Sequence, residues 1–268
     1  MKIGNRDFSK HTGIMGILNV TPDSFSDGGC YNSVDKALFR TEQMLKEGAD
    51  IIDVGGESTR PGYVMISEKE EIYRVSPVIE AIKREFDCLV SIDTYKSNVA
   101  KAAIDSGADI INDIWGFKYD NTMARVAATM HVHCCIMHNR KNKEYNNFCE
   151  DMLADLRESV AIAEEAGIDK NMLVLDPGVG FAKSYEQNLM AMNNLERLGE
   201  ITPNFMLAAS RKSVIGLALD LDTDERLEGT LATTVIAVMK GAQIVRVHDV
   251  EQNRRAILMA EKIMGKAI

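Results

Sequence analysis

One pattern recurs eight times along these 268 residues: a short apolar run, a polar loop at its end, then a helical segment that often closes on glycine. The first copy shows it best. Ile14–Leu18 is apolar, broken only by Gly16, and the polar change falls at Asn19. Asn, Thr, Pro, Asp, Ser and Gly then run through Gly29, which is loop chemistry. A run this short and this apolar predicts a strand buried on both faces, as in parallel sheets. A polar, Gly-rich loop at the carboxyl end of such a strand is where α/β proteins keep their ligands. Any single loop of this kind reads as a solvated connection, so the weight lies in the recurrence.

Residues 1–13 are polar and predict a short lead-in or hairpin. Strand one is Ile14–Asn19, and Ser33 is expected to cap a helix near Val34–Glu47, with Asp35 in its first turn and Gly48 closing it. Ile51–Val54 is strand two, and Ser67 with Glu70 predicts a capping box for a helix running to about Phe86. Cys88–Ile92 is strand three, followed by a helix from about Ser97 to Gly107. Asp109–Asn112 is strand four, followed by a short helix near Met123–Met130. Val132–Met137 is strand five, and a long helix ends near Gly167. Met172–Leu175 is strand six, before a helix near Tyr185–Leu198. Phe205–Ala208 is strand seven, and Asp222 with Glu225 predicts a second capping box for a helix closing at Gly241. Gln243–Val247 is strand eight, and Asp249 is expected to cap a last helix to about Gly265.

Eight alternations of roughly 33 residues each match a (β/α)8 TIM barrel in one domain, 1–268. A weak internal repeat agrees: Gly48-Ala-Asp, Gly107-Ala-Asp and Gly241-Ala-Gln each precede a strand. The competing architecture is an open doubly wound sheet, which needs a topological switch point and usually fewer strands. The first turn lacks Gly-x-Gly-x-x-Gly, which weakens its dinucleotide-binding form.

With 46% hydrophobic residues the chain can bury a full core. No run of eighteen apolar residues occurs, so no membrane span is expected, and the first residues lack the apolar segment of a signal peptide. Five unpatterned cysteines predict a reduced, cytoplasmic protein. A net charge of −9 argues against a nucleic-acid surface, although a few local cations can still dominate one cleft.

The strand ends are Asn19, Asp53, Asp93, Asn112, Met137-His138, Asp176, Arg211-Lys212, and Arg246 with His248. In a barrel all of them ring one mouth. Each alone reads as a helix cap or loop solvator, and Asp53, lying within its strand, reads as the weakest. Asp93, Asn112 and Asp176 suit a flat, nitrogen-rich heterocycle, since carboxylates accept paired N–H groups and Asn both donates and accepts. Arg60, Arg246 and His248 suit oxyanions, and Arg246 and His248 lie two apart on one strand and share a face. Asn19 and its acidic loop suit a hard cation such as magnesium with a diphosphate. The residues therefore point to a planar, amide-like ring beside an anion. Met130-His-Val-His-Cys-Cys-Ile-Met-His138 is rich in metal-ligand types but lacks metal-site spacing, and it reads as buried strand packing. The fifteen methionines read as core filler.

Seven segments then carry a resemblance. Asn19-Val-Thr-Pro-Asp-Ser-Phe-Ser-Asp-Gly-Gly29, Asp53-Val-Gly-Gly-Glu-Ser-Thr-Arg-Pro-Gly62, Ser91-Ile-Asp-Thr94, Ile111-Asn-Asp113, Asp176-Pro-Gly-Val-Gly-Phe181, Ser210-Arg-Lys212 and Arg246-Val-His-Asp249 resemble the dihydropteroate synthases, in order and over nearly the whole chain. The resemblance implies a transferase of folate biosynthesis, joining 4-aminobenzoate to hydroxymethyl-dihydropterin diphosphate. It implies that Asp93, Asn112, Asp176 and Lys212 hold the pterin. Asn19 would coordinate Mg2+, with Thr59, Arg60, Arg246 and His248 on the diphosphate. Phe25, Pro61, Phe181, Lys212 and Ser213 would line the aminobenzoate side, and a homodimer is implied. Asp93, Lys212 and Asn19 would carry the catalysis. Ala208-Ala209 stands where the family often has Gly and Thr, and Ala182-Lys183-Ser184 where Gly-Lys-Thr is common. The alternatives are a barrel that transfers the methyl group of a folate to a cobalamin protein, and a non-catalytic pterin-binding relative.

Overall fold

In the computed structural model the described residues are 1–21, 30–57 and 65–266, with side chains in the first helix described from 34 onward. A two-strand antiparallel hairpin comes first, β1 (Lys2–Ile3) and β2 (Arg6–Asp7). The barrel strands are β3 (Gly13–Asn19), β4 (Ile51–Gly55), β5 (Leu89–Asp93), β6 (Ile110–Asp113), β7 (His133–Met137), β8 (Leu173–Asp176), β9 (Met206–Leu207) and β10 (Ile244–Val247). The helices are α1 (Cys30–Glu47), α2 (Glu68–Glu85), α3 (Ser97–Asp105), α4 (Met123–Met130), α5 (Phe148–Glu165), α6 (Tyr185–Asn193), α7 (Ser213–Leu219), α8 (Leu227–Met239) and α9 (Val250–Ile263). Among the described residues none is long and apolar enough to cross a membrane.

The eight strands pair in parallel from β3 round to β8, and β10 joins β3 to β9. A single bridge between Leu175 and Phe205 links β8 to β9 and completes the ring. That closure removes the doubly wound alternative, whose sheet stays open. Gly48, Gly107, Gly167 and Gly241 all take positive φ where a helix hands over to a strand, so the repeat seen in the sequence is a repeated helix stop.

Alternation along each strand splits the core in two. Met15, Ile51, Leu89, Ile110, Cys135, Val174, Met206 and Ile244 face the barrel axis, with Ile3 and Phe8 of the hairpin region packed against them. Their neighbours Ile14, Ile52, Val90, Ile111, Cys134, Leu173, Leu207 and Val245 face the helices. Full burial of each such side chain is worth about 1.5–3 kcal/mol. Two or four residues further along the inward columns stand Asn19, Asp53, Asp93, Asn112, Asp176 and Arg246, so the apolar floor fixes where the polar residues must point.

Several expected caps differ. Helix α1 begins at Cys30, ahead of Ser33, which lies inside it, and Asp35 falls beyond the first turn. Ser67 does cap α2, its Oγ accepting the Glu70 amide at 3.2 Å, but Glu70 turns to Arg74 at 2.9 Å and does not complete the box. Asp222 makes no side-chain cap and heads a 3-10 turn, Thr223–Glu225. Arg226 shapes that turn by donating to the carbonyls of Leu221 and Arg211. Asp249 precedes α9 without capping it, because Arg211 takes both its carboxylate oxygens at 2.8 and 2.6 Å. The helix expected to reach Leu198 breaks at Asn194 into a 3-10 segment. A full capping box starts α6 instead, between Ser184 and Gln187.

Candidate active site

The carboxyl ends of the strands surround a cavity of about 700 Å³. Asn19, Asp93, Asn112, Asp176, Phe181, Lys212, Ser213, Arg246 and His248 all line it, so the fold gathers every expected site residue that it describes. Phe25, Thr59, Arg60 and Pro61 lie outside the described residues.

An arginine between two carboxylates organises the deep end. Arg246 donates from Nε to Asp53 Oδ2 at 2.6 Å and from Nη2 to Asp93 Oδ2 at 2.6 Å. Asp53 also accepts the Asn112 amide Nδ2 at 3.3 Å. Since a carboxylate only accepts, the Asn112 amide is fixed with its nitrogen inward. Asp53 is fully buried beneath the mouth. It therefore anchors two cavity residues and is more than the weak strand-internal residue that its position in the sequence implies. Two of the three Arg246 nitrogens are thus held by carboxylates, a tighter hold than an open anion site implies.

Burial pushes Asp93 up to about 7, against the pull of the Arg246 charge. Burial also raises Asp176, whose Oδ1 accepts the Gly178 amide at 2.9 Å. Lys212 is pushed down to about 8, again chiefly by burial. Its Nζ donates to the Val179 carbonyl at 2.6 Å and stands 5.0 Å from the centre of the Phe181 ring. Asp93 and Lys212 are thus groups whose charge is finely balanced near neutrality, as a site for chemistry requires.

The outer end is built differently. His248 follows β10, and its amide donates to Ser210 Oγ at 3.2 Å. The same hydroxyl lies 3.0 Å from His248 Nδ1 and can donate to it, which places the proton of a neutral ring on Nε2. Ser213 opens α7 at the exposed rim. Gly55 leaves open the gap between Asn19 and Asp93, where a Cβ would lie 3.6 Å from Asn19 Oδ1 and 3.7 Å from Asp93 Cβ. Ile114 and Met137 join Tyr95, Trp115 and Phe181 in an apolar cluster that forms a wall suited to a flat ring.

Two strand-end residues turn away. Met137 lines the cavity, but His138 is buried behind it against Asp155. Arg211 reaches the rim with its guanidinium committed to Asp249. His133, Cys135 and Met137 face inward and Cys134 outward, and no cluster of three His, Cys, Asp or Glu able to hold a metal occurs among the described residues.

Sequence reasoning missed Glu57, whose carboxylate borders the cavity. It accepts Tyr95 Oη at 2.6 Å, Lys96 Nζ at 2.8 Å and the Ile66 amide at 2.7 Å. Lys96 also reaches Glu71 at 2.7 Å, so one ammonium joins two buried carboxylates. The position of Glu57 in the Gly-Gly-Glu-Ser loop was the available signal; its partners come from elsewhere in the chain.

Comparison with known proteins follows the same lines. A family model described as pterin binding enzyme matches residues 15–248. The chain is 59% identical to a dihydropteroate synthase of Clostridium beijerinckii, over 99% of this chain and 100% of the relative. It is 53% identical to that of Bacillus subtilis, over 97% and 91%. Among solved structures, a dihydropteroate synthase from Clostridium difficile in the presence of pteroic acid matches with a TM-score of 0.94 at 46% identity, covering 96% of this chain and 98% of that one. A Yersinia pestis dihydropteroate synthase in complex with a sulfonamide drug matches with a TM-score of 0.92 at 39% identity, over 99% of both chains.

Proposed function

This chain belongs to the dihydropteroate synthase family of pterin-binding enzymes, and we infer that its barrel mouth joins 4-aminobenzoate to 6-hydroxymethyl-7,8-dihydropterin diphosphate, giving 7,8-dihydropteroate and diphosphate. The observation that carries this reading is the convergence of Asp93, Asn112, Asp176 and Lys212, from four strand ends, beside the wall of Ile114, Met137 and Phe181. Those four polar groups match the amide-like edges of a pterin, and the wall takes its face. Asn112 is anchored through its nitrogen, and its oxygen would serve the ring.

The reaction breaks the bond from the pterin methylene carbon to the diphosphate oxygen and forms a carbon–nitrogen bond. Departure of diphosphate leaves positive charge on the methylene and the ring. Ionised Asp93 lies where it stabilises that charge, in a buried setting where the effect is large. His248 Nε2–H and the free end of Arg246 serve the departing diphosphate. The arylamine is already nucleophilic; Phe181, Lys212 and Ser213, with Phe25 and Pro61, orient it, and after attack it gives up a proton to solvent.

The family implies magnesium, and the donor set fits it. Asn19 presents a hard oxygen beside the gap that Gly55 keeps open, and the described residues offer no cage of their own there. Magnesium takes few protein ligands when phosphate oxygens and water complete its shell. Asn19 would hold the ion, which supplies charge neutralisation for the diphosphate when bound.

The same reading extends to the rest of the chain. We take 1–268 as one domain whose hairpin floors the barrel. Unpaired, buried Cys88, Cys134, Cys135 and Cys149 support a reduced cytoplasmic setting. A homodimer is supported by Leu217, Ile236, Met239, Met259 and Ile263, apolar yet exposed on α7, α8 and α9. Sedimentation at micromolar concentration tests it, and one 29.7 kDa species would rule it out.

Incubation with both substrates and magnesium, with detection of dihydropteroate, tests the function. Pterin binding without product would favour a non-catalytic relative, and methyl transfer from a folate to a cobalamin protein would favour the other barrel class. Sulfonamides, which mimic aminobenzoate, should inhibit competitively with it.

A further inference from the structure

Behind the mouth lies a buried ammonium that the chemistry of the site does not use. Lys183 is 4% exposed. Its Nζ stands 2.8 Å from His138 Nδ1, 2.9 Å from the Gly178 carbonyl and 3.0 Å from the Phe181 carbonyl. An ammonium has three N–H donors and no acceptor, and here it meets three acceptors.

The histidine is held in the form this needs. His138 Nε2 lies 2.9 Å from Asp155 Oδ2, which also takes Arg140 Nε at 2.5 Å. Facing a carboxylate, Nε2 carries the ring proton, so Nδ1 offers its lone pair to Lys183. Burial pushes His138 down to about 4, which keeps the ring neutral. Burial pushes Lys183 down to about 7, with Lys212 and Arg140 acting the same way and Asp176 and Asp155 pulling against it.

The segment it grips is one that local preference does not hold. Gly178, Gly180 and Ala182 take φ of +68°, +88° and +44°. The left-handed region is unfavourable for Ala, so something outside the loop must impose the shape. A Cβ at Gly178 would meet the His138 carbonyl at 2.0 Å, so the loop is pressed flat against that strand end. From the far side Tyr145 Oη donates to the Ala182 carbonyl at 2.9 Å. The front of the same loop presents the Phe181 ring and the Val179 carbonyl that holds Lys212 Nζ.

We propose that Lys183 is a positioning residue: through the 178–181 turn it sets the places of Phe181 and Lys212, and so the affinity for the arylamine substrate. This rests on the proposed synthase function of the site. Lys183 touches neither substrate. Removing it leaves the Phe181 carbonyl and the His138 Nδ1 without this donor and the Gly178 carbonyl with the Phe181 amide alone, at 3.1 Å, and the turn relaxes to find partners.

The test is steady-state kinetics of the full-length protein and of Lys183→Met, with dihydropteroate as product and the folded fraction measured by calorimetry. The KM for 4-aminobenzoate should rise about tenfold or more, as displaced orienting groups produce, while kcat per folded molecule changes by less than about threefold. Tyr145→Phe, which removes one bond to the same loop, should move the same KM by about two- to threefold. A merely structural lysine would lower the melting temperature and leave KM within twofold, and that result overturns the proposal. If Lys183→Met does not fold, nitrogen NMR of the parent decides. A Lys183 ammonium with slowed proton exchange at pH 6, below the lowered value, supports the assignment, and a neutral or freely exchanging amine there sinks it. No product from the parent defeats the proposed function and the inference with it. Product from the parent with unchanged KM in the folded variant defeats the inference alone.

Discussion

At the floor of the barrel Met15, Ile51, Leu89 and Ile110 point inward and pack on Ile3 and Phe8. On the same strands, a turn of the pleat or two later, Asn19, Gly55, Asp93 and Asn112 occupy the same inward columns at the mouth. Burial hardly separates the two regions: Ile51 is 0% exposed and Asp93 6%. What separates them is the consequence of burial. At the floor, loss of water is the driving force. At the mouth it is a cost, offset by Arg246 between Asp53 and Asp93, and the remaining imbalance appears as the raised Asp93 and lowered Lys212. The floor therefore holds the fold together, and the mouth keeps groups ready to change their interactions when substrate arrives.

The largest expected effect breaks the mouth without touching the floor. Asp93→Asn keeps the volume but removes the charge proposed to face the developing cation. Turnover should fall by about 10²–10³-fold, the usual size for loss of one preorganised electrostatic group. The melting temperature should change little, because the gain from removing a buried carboxylate with an unpartnered Oδ1 is set against the loss of its ion pair with Arg246. Turnover within a few-fold of the parent would remove Asp93 from the mechanism.

Ile51→Ala is the mirror experiment. It empties a fully buried position among Met15, Leu89 and the hairpin. Urea unfolding should show a loss of about 2–5 kcal/mol, while KM for both substrates stays within twofold. A large KM change with little loss of stability would mean that floor and mouth are coupled and do not divide in this way.

Acidity gives a third, smaller handle. In the free protein kcat/KM for the pterin diphosphate should need ionised Asp93 and charged Lys212. Asp93, raised to about 7, loses its charge as pH falls through that value, so activity declines on the acid side. Lys212, lowered to about 8, loses its charge as pH rises, so activity declines on the alkaline side. The profile should peak between the two, each limb approaching tenfold per pH unit. Asp93→Asn should lose the acid limb, and a flat profile from pH 6 to 9 would show that neither charge matters.

Only half of this division is legible in the sequence. Each apolar run ends in a polar residue, so Asn19, Asp93, Asn112, Asp176 and Arg246 can be placed at one mouth once eight strands are counted. Asp53 reads too weakly because its role depends on register: only when β4 lies between β3 and β5 does it meet Arg246 from β10 and Asn112 from β6. Lys183 and Glu57 stay hidden for a related reason, since His138 lies 45 residues from Lys183 and Lys96 lies 39 from Glu57. Caps fail where a distant arginine outcompetes the local backbone, as Arg211 does for Asp249. The Ser184–Gln187 box, by contrast, is a purely local pattern that the sequence does carry.

Between floor and mouth lies one layer that belongs to neither, and Ser91 is its probe. It faces inward between Leu89 and Asp93 and pairs in register with Asp53 and Ile110. Its Oγ is buried, and among the described residues neither it nor Asp53 Oδ1 has a hydrogen-bond partner. An unpartnered buried hydroxyl costs about 1–3 kcal/mol, which Ser91→Ala would recover, less the small void left by one oxygen. A gain of up to about 1 kcal/mol is expected, seen as a rise of roughly 2 °C in melting temperature for a chain of this size. Kinetics should be unchanged, because Asp93 keeps its bond to Arg246 and Asp53 keeps both of its own. A loss of more than about 1 kcal/mol would mean that the hydroxyl is hydrogen-bonded in solution. The polar network of the mouth would then extend one layer deeper, with Leu89 as the first residue of the floor. A change in KM for the pterin diphosphate would place that boundary at the same depth, since it would show that Ser91 supports Asp53 and, through it, Asn112 and Arg246.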